Sequence, residues 1–178
     1  MRNRGRPRLY LDIDGVINAD APMWGDTVVV QVTENYGAGY KVRHKVTYSP
    51  ILVAAIDSLR VEFDVELVIL STWLENAAIF QMQKKLNAFR GSRWLNIPAR
   101  GGRQQELPDM WKVDQLIGDL GDDPGPFIWV DDDEVPEHRQ FVSNMTDLPS
   151  LLIAPNSAHG LTQQHLAAMQ EFLAACRT

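Results

Sequence analysis

Hydrophobic residues along the chain fall into short apolar runs, separated by segments in which apolar residues recur with a helical period. The runs are rich in β-branched and aromatic residues, which is typical of buried strands. These strands are predicted at residues 8–13, 65–70, 126–130 and 150–154. Buried strands that alternate with helices form a parallel sheet with helices on both faces. We therefore predict an α/β fold, a Rossmann-like three-layer sandwich.

The amphipathic segments between these strands predict helices. They are expected from Pro50, from about residue 71 to Phe89, around 110–120 and over 161–176. Ser49 suits the N-cap of the first helix and Thr162 that of the last, because a hydroxyl accepts a free backbone N–H. Residues 90–108 are rich in Gly and Pro, which predicts an irregular segment.

A second kind of pattern lies between the first strand and the first helix. Residues 27–33 and 40–48 are β-rich and alternate between apolar and polar side chains, and the segment between them carries two glycines. We predict that residues 18–48 form a β-hairpin flap, a minimal insertion in a chain whose residues 1–178 otherwise make one domain.

Composition narrows the class of protein. Lys and Arg total 17 and Asp and Glu total 23, so the net charge of −6 argues against a general nucleic-acid coat protein but allows local basic patches. The one cysteine, Cys176, forms no internal disulfide and no thiolate zinc site. No apolar run approaches the roughly 20 residues that span a bilayer, and the basic N-terminus has no signal-peptide core. A cytoplasmic location is therefore expected.

Ligands of such sheets bind beyond the carboxyl ends of the strands, so the polar residues at those ends are the candidate site residues. Asp12 and Asp14 end the first strand and point to the same face, where their charges repel unless a cation lies between them. A divalent metal explains the pair; a solvated turn is the alternative. Gly15 allows a sharp turn over a ligand. Val16 and Ile17 stand where an EF-hand loop would need polar ligands.

Hydroxyl groups follow the second strand. Thr72 and Glu75 have the spacing of a capping box, which would leave the Ser71 hydroxyl and the first helical N–H groups free for an anion. The alternative is a helix cap with no further role.

Acidic residues follow the third strand. Nine Asp or Glu and no Lys or Arg lie between Lys112 and Arg139. Such a run is usually a solvated loop, yet Asp131 and Asp132 come directly after a buried strand. Lys112 lies on the preceding predicted helix, where an exposed lysine is the ordinary interpretation.

Together these features occur in the order carboxylate pair, hydroxyl, lysine, acid pair. Receiver domains place similar residues in another order and do not fit. The motifs LDIDGV, VILSTW and WVDDD, with Lys112, resemble the haloacid dehalogenase (HAD) superfamily, most members of which are phosphatases. The resemblance covers nearly the whole chain, and LDIDGV is its most specific motif. The STW triplet and the GLTQQHL segment are similar to small HAD-like proteins of bacteriophages and actinobacteria.

The resemblance implies hydrolysis of phosphomonoesters. It assigns Asp12 as the nucleophile that becomes an aspartyl-phosphate, and Asp14 as the general acid that later activates water. Ser71 is expected to bind the phosphoryl group through its hydroxyl, and Thr72 and Gly15 are expected to belong to the same phosphate-binding site. Lys112 is expected to hold the phosphate and to offset the charge of the carboxylates.

The resemblance also implies a Mg²⁺ cofactor. Its expected ligands are Asp12, the backbone carbonyl of Asp14 and Asp132, with Asp131 beside them as a second acid. Which of Asp131, Asp132 and Asp133 binds the metal directly is left open by the sequence.

The sequence does not decide whether the substrate is a small phosphorylated molecule or a bulky one. A small flap implies an open site, which would admit nucleic-acid ends or phosphoproteins. The candidate functions are therefore a phosphatase with an open site, a polynucleotide 3′-phosphatase that processes damaged ends, and a catalytically silent binding module. No P-loop kinase motif, membrane partner or obligate protein partner is indicated.

Several residues suit a nucleic-acid substrate but have an ordinary alternative. The basic residues could contact a substrate, and the alternative is that they are ordinary solvated charges. They are Arg2, Arg4, Arg6 and Arg8 at the N-terminus, Arg43, His44 and Lys45 on the hairpin, and Arg90, Arg93, Arg100 and Arg103. The aromatic ones, which stack on a base or pack in the core, are Trp24, Tyr36, Tyr40 and Trp73.

Overall fold

A computed structural model describes residues 5–35, 41–74, 78–98 and 107–177. The strands formed by these residues are β1 (Arg8–Leu11), β2 (Val28–Asn35), β3 (Lys41–Tyr48), β4 (Glu66–Ile69), β5 (Arg93–Trp94), β6 (Phe127–Val130) and β7 (Ser150–Ile153). Five of them form a parallel sheet in the order β5-β4-β1-β6-β7. Strands β2 and β3 pair as a separate antiparallel hairpin.

Helices cover both faces of this sheet. They are α1 (Pro50–Phe63), α2 (Ala78–Leu86), α3 (Trp111–Asp122), α4 (Glu134–Met145) and α5 (Gln163–Arg177). Alternate residues of β1 point to different layers: Leu9 and Leu11 pack with α1, α2 and α5, whereas Tyr10 packs with α3 and α4. The predicted three-layer α/β sandwich is confirmed. Among the described residues, no helix is both long and apolar enough to cross a membrane.

The predicted caps of the first and the last helix are confirmed. The Ser49 hydroxyl accepts the N–H of Leu52 at 3.3 Å and donates to the carbonyl of Trp24 at 2.8 Å, so it ties α1 to the loop before the hairpin. At the start of α5, Thr162 Oγ1 accepts the N–H of His165 at 3.4 Å, while the ring of His165 accepts the N–H of Thr162 at 3.1 Å. Both helices therefore begin where the sequence predicts.

Two predicted segments differ from the structure. Where a helix was expected from about residue 71, Thr72–Leu74 form a short 3-10 turn, and the described part of the helix is α2, Ala78–Leu86. The Ser71 hydroxyl accepts the N–H of Trp73 at 3.5 Å. The predicted capping box of Thr72 and Glu75 falls outside the described residues, because these do not include Glu75. The segment 90–108, expected to be irregular, contains the two-residue edge strand β5, which is too short to produce an alternating pattern.

Helix α4 was not predicted, because its acidic start has the composition of a solvated loop. Pro136 adds to this impression, but it lies in the first turn, where a missing N–H costs no helical hydrogen bond. Acidic side chains in a first turn also interact favourably with the helix dipole. The acidic run is therefore in part the start of a helix that covers β6 and β7.

Candidate active site

The parallel register brings the ends of three strands to one edge of the sheet. Leu11 of β1 is level with Ile69 of β4 on one side and with Val130 of β6 on the other. Asp12 and Asp131 therefore leave the sheet side by side, and Ser71 follows the end of β4 on the same edge. Asp12 and Asp131 are buried, and only 1% of Ser71 is exposed.

Helix α3 adds a lysine to this edge. Lys112, its second residue, is buried, and Lys112 Nζ lies 2.7 Å from both Asp12 Oδ2 and Asp131 Oδ2. The alternative interpretation of Lys112 as an ordinary exposed lysine is wrong, because its side chain bridges two buried carboxylates.

Asp131 has both carboxylate oxygens occupied. Its Oδ2 accepts Lys112, while its Oδ1 accepts the N–H groups of Asp133 at 3.1 Å and of Glu134 at 2.9 Å. A carboxylate with this many donors holds the lysine and the first turn of α4 in place. Its oxygens are less accessible to a metal than those of its neighbour Asp132.

Asp132 lies against the loop that follows β1. A Cβ atom at Gly15 would stand 2.0 Å from Asp132 Oδ2, so only glycine leaves room for this carboxylate. Gly15 also has φ +65°, a left-handed conformation that glycine adopts without strain. One carboxylate oxygen each from Asp12, Asp131 and Asp132 lies within 4.8 Å of the other two.

This cluster contains more negative than positive charge. Burial and the charge of Asp12 raise the pKa of Asp131 to about 7, against the opposing effect of Lys112, and burial also raises the pKa of Asp132. Although burial opposes it, the charges of Asp12 and Asp131 hold the pKa of Lys112 above its usual value. One ammonium thus faces three carboxylates. Clustered carboxylate oxygens are the donors that Mg²⁺ binds, so the residues fit that ion.

Asp14 lies outside this cluster, on the solvent side of the loop. Asp14 Oδ1 accepts the side-chain amide of Asn18 at 2.6 Å, and Asp14 Oδ2 accepts the indole N–H of Trp73 at 2.9 Å. The side-chain oxygen of Asn18 accepts the N–H of Thr47 at 2.8 Å, which orients the amide toward Asp14. Thr72 is exposed beside them. Asn18 was not predicted as a site residue, because its only signal in the sequence is a polar side chain four residues after Asp14.

The hairpin borders this loop, and its two faces differ. Lys41, Arg43 and Lys45 are exposed and lie two residues apart on one face of β3. His44 points the other way: His44 Nε2 lies 2.7 Å from Glu34 Oε2, and its ring packs edge-on against Trp73 at 5.4 Å between centroids. The three neighbours Arg43, His44 and Lys45 thus divide between a basic outer face and an inner contact.

Other basic residues of the sequence analysis lie at the opposite edge of the sheet. Arg6 pairs with Asp64 and, with Arg60 and Arg90, lines a cavity of about 510 Å³. Arg93 is paired with Glu66, so it is not a solvated charge. The predictions for Arg2, Arg4, Tyr36, Tyr40, Arg100 and Arg103 fall outside the described residues.

Trp24 is buried against the hydrophobic core and is not available to stack on a base. Trp73 is half-buried, and its indole N–H donates to Asp14, so this tryptophan is part of the structure around that carboxyl.

Comparison with known proteins gives one result. The sequence model of a family described as the HAD domain in Swiss Army Knife RNA repair proteins matches residues 8–166. No curated protein and no solved structure matches the chain. The matched range runs from β1 into α5 and contains every residue of the cluster.

Proposed function

The chain belongs to the HAD superfamily, in the family of HAD domains of RNA repair proteins, and from this premise we propose that it hydrolyses phosphomonoesters through Asp12 with Mg²⁺ as cofactor. The observation that carries the proposal is the acid-rich cluster of Asp12, Asp131 and Asp132 around Lys112. Its surplus negative charge would repel a phosphate dianion unless a cation is bound.

In the first step an oxygen of Asp12 attacks the phosphorus atom, and the bond to the leaving oxygen breaks. Asp14 donates a proton to that oxygen. In the second step Asp14 takes a proton from water, which attacks the phosphorus of the aspartyl-phosphate and restores Asp12. Lys112 and Ser71 hold the phosphoryl oxygens. Bound Mg²⁺ supplies positive charge to the equatorial oxygens.

Each residue has a stated place in this reaction. Asp12 and the backbone carbonyl of Asp14 would ligate the metal. Of the two acids after β6, Asp132 would be the third ligand, because the oxygens of Asp131 accept Lys112 and two N–H groups. Asp131 would then position Lys112.

The test is hydrolysis of p-nitrophenyl phosphate with and without Mg²⁺. We expect metal-dependent turnover that falls at least about a thousandfold in Asp12→Asn, since the covalent route is lost. Asp20→Asn, at an exposed aspartate of the same segment, is the matched control and should keep full activity. Metal-independent turnover would contradict the role of Mg²⁺, and no turnover in the wild type would favour the silent binding module.

The substrate class that we propose is a phosphate at a nucleic-acid end. Two observations support it: the family is described as a domain of RNA repair proteins, and the hairpin beside Asp14 exposes Lys41, Arg43 and Lys45 in one row. Backbone phosphates bind such residues without regard to sequence. A free metabolite would not need them.

A 3′-phosphorylated oligoribonucleotide is compared with a 3′-mononucleotide. We expect a higher kcat/KM for the oligonucleotide that falls steeply with salt. Replacing the three basic residues by Gln should remove this advantage and leave the mononucleotide rate unchanged. Equal rates for both substrates in the wild type would refute the nucleic-acid assignment but not the phosphatase.

A further inference from the structure

The loop around Asp14 carries an arrangement that the reaction above does not use. Trp73 lies in the turn after β4 and donates its indole N–H to Asp14 Oδ2 at 2.9 Å. We propose that Trp73 is a positioning residue: it holds the carboxyl of Asp14 at the place where the leaving oxygen is released, and the hairpin holds Trp73 through His44. This inference rests on the proposed function, because it concerns the general acid of that reaction.

The chemistry of the two partners of Asp14 supports this role. An indole N–H only donates, and the amide of Asn18 is fixed as a donor by its second bond to Thr47. Neither partner takes a proton at ordinary pH. The proton that Asp14 carries can therefore pass to the leaving oxygen or to water, but not to the groups that hold the carboxyl.

The geometry restricts rotation of the carboxyl. Donors lie on both of its oxygens, at 2.6 Å from Asn18 and at 2.9 Å from Trp73. Asn18 belongs to the same loop as Asp14, whereas Trp73 comes from a different strand end, 59 residues further along the chain. Trp73 therefore fixes the loop relative to the sheet, which the local bond of Asn18 cannot do. A proton donor must stand within hydrogen-bond reach of its acceptor, so this fixation affects the rate.

Trp73 is in turn held by the hairpin. The ring of His44 meets it edge-on, at 5.4 Å and 62° between planes, and His44 is bonded to Glu34 on the neighbouring strand. Displacement of β2 and β3 would release the indole. The hairpin thus contributes to the orientation of Asp14 although none of its described residues bonds to that carboxyl directly.

The leaving group of the substrate distinguishes positioning from a structural role. A p-nitrophenolate leaves without protonation, whereas an alkoxide leaves only when an acid protonates it. We compare kcat/KM for p-nitrophenyl phosphate and for an alkyl phosphate in Trp73→Phe, which keeps an aromatic ring but has no N–H. The alkyl ester should lose about tenfold or more relative to the aryl ester, the value of one hydrogen bond to a charged group.

Three further variants complete the test. Trp94→Phe, at a half-exposed tryptophan that packs on Phe80, should leave the alkyl-to-aryl ratio unchanged. His44→Leu should lower it about threefold, the value of one aromatic pair. In an Asp14→Asn background, Trp73→Phe should have no further effect on the ratio, because the two residues then share one lost function.

The outcomes separate the two levels of inference. Two results would refute the positioning role but not the proposed function. One is an equal loss of kcat/KM on both esters in Trp73→Phe, and the other is a full effect of Trp73→Phe in the Asp14→Asn background. A wild type that hydrolyses neither ester refutes the proposed function and this inference with it. A second measurement needs no turnover: the indole N–H resonance that disappears in Trp73→Phe should shift strongly in Asp14→Ala, and an unmoved resonance also contradicts the contact.

Discussion

Two charged clusters lie at opposite edges of the same sheet, and they differ in charge balance: one has a single cation for three carboxylates, the other has two. The acidic cluster at the carboxyl edge consists of Asp12, Asp131 and Asp132 around Lys112. The arginine network at the amino edge consists of Arg8, Arg93, Tyr10, Glu66, Asp119 and Asp123, from the starts of three strands and the end of α3.

In the arginine network Glu66 and Asp119 each meet more than one donor. Arg93 bonds Glu66 through two nitrogens, both at 3.0 Å, and Asp119 at 2.6 and 2.9 Å. Asp119 also accepts the hydroxyl of Tyr10 at 2.6 Å. Hydrogen bonds from Arg93 hold the pKa of Glu66 below its usual value, and despite partial burial they do the same for Asp119. The network needs no ligand.

The contrast shows what distinguishes a site from a structural ion pair. Burial occurs in both clusters, and so do ion pairs of ordinary length. The difference lies in the surrounding charge: hydrogen bonds from Arg93 lower the pKa of Glu66, whereas burial and the charge of Asp12 raise the pKa of Asp131 although its oxygens are hydrogen-bonded. Helix α3 connects the two clusters, because Lys112 lies in its first turn and Asp119 in its last half.

The largest effect is expected from Lys112→Met, which removes the single cation of the acidic cluster. Asp12 and Asp131 would then face each other without compensation, and loss of one partner of a buried ion pair costs about 3–5 kcal/mol. We expect this loss in the free energy of unfolding without Mg²⁺ at pH 8, together with loss of turnover. Urea unfolding and p-nitrophenyl phosphate assays measure the two.

Lys85→Met, at an exposed lysine of α2, is the matched control and should change neither quantity. The interpretation fails if Lys112→Met is as stable as the wild type at pH 8 in the absence of metal.

The next largest effect is expected in the arginine network and concerns stability alone. Asp119→Ala leaves Tyr10 and two arginines without their shared acceptor, of which Arg8 is buried. We expect a loss of about 2–4 kcal/mol, since unsatisfied buried donors retain their desolvation cost. Below the unfolding transition kcat should remain within about twofold of wild type, a comparison that steady-state kinetics provides. A large fall in kcat with intact stability would show that the two clusters are not separate.

How far the sequence predicts these clusters depends on where the partners come from. Asp12, Ser71 and Asp131 follow predicted strands, and parallel register alone brings them to one edge. Lys112 has no such marker, because a lysine in a first helical turn is ordinary and only the packing of α3 buries it. The resemblance to a known family, not its local pattern, pointed to that residue.

The arginine network was not predicted at all. Its members are charged residues at strand starts and in a Gly-rich segment, where local composition indicates solvent. Arg93 of the short edge strand β5 pairs with Glu66 of its neighbour β4. The two residues are 27 positions apart, and no local periodicity predicts a contact between them. Long-range pairing of this kind depends on strand order, which the sequence pattern does not give.

A third effect links pH to metal and is of intermediate size. Asp131 has a raised pKa in the folded state. Between about pH 4 and pH 7 the folded protein therefore holds a proton that the unfolded chain has lost. Stability without Mg²⁺ should therefore fall as pH rises from 5 to 8. Mg²⁺ at a hundredfold excess over its Kd adds about 2.7 kcal/mol. We expect that gain in melting curves at pH 8 and a smaller one at pH 5.

The arginine network should respond in the opposite sense. The lowered pKa values of Glu66 and Asp119 mean that the folded protein resists protonation, so their contribution is present above the unfolded pKa and is lost as pH falls through the folded one. Below about pH 4 stability should decline even with Mg²⁺ present. A Mg²⁺ effect of equal size at pH 5 and 8 would argue against uncompensated charge in the acidic cluster.

The smallest effect is expected at Gly118, in the helix that joins the two clusters. A Cβ atom there would meet nothing within 4 Å, so Gly118→Ala should raise the free energy of unfolding by about 0.5–1 kcal/mol through lower backbone entropy of the unfolded chain. Because bonds at both ends of α3 fix its position, kcat should not change. Gly15→Ala is the contrasting variant, since its Cβ would displace the Asp132 carboxylate. A fall in kcat for Gly118→Ala, measured beside its urea midpoint, would mean that flexibility within α3, and not its anchored ends, sets the position of Lys112.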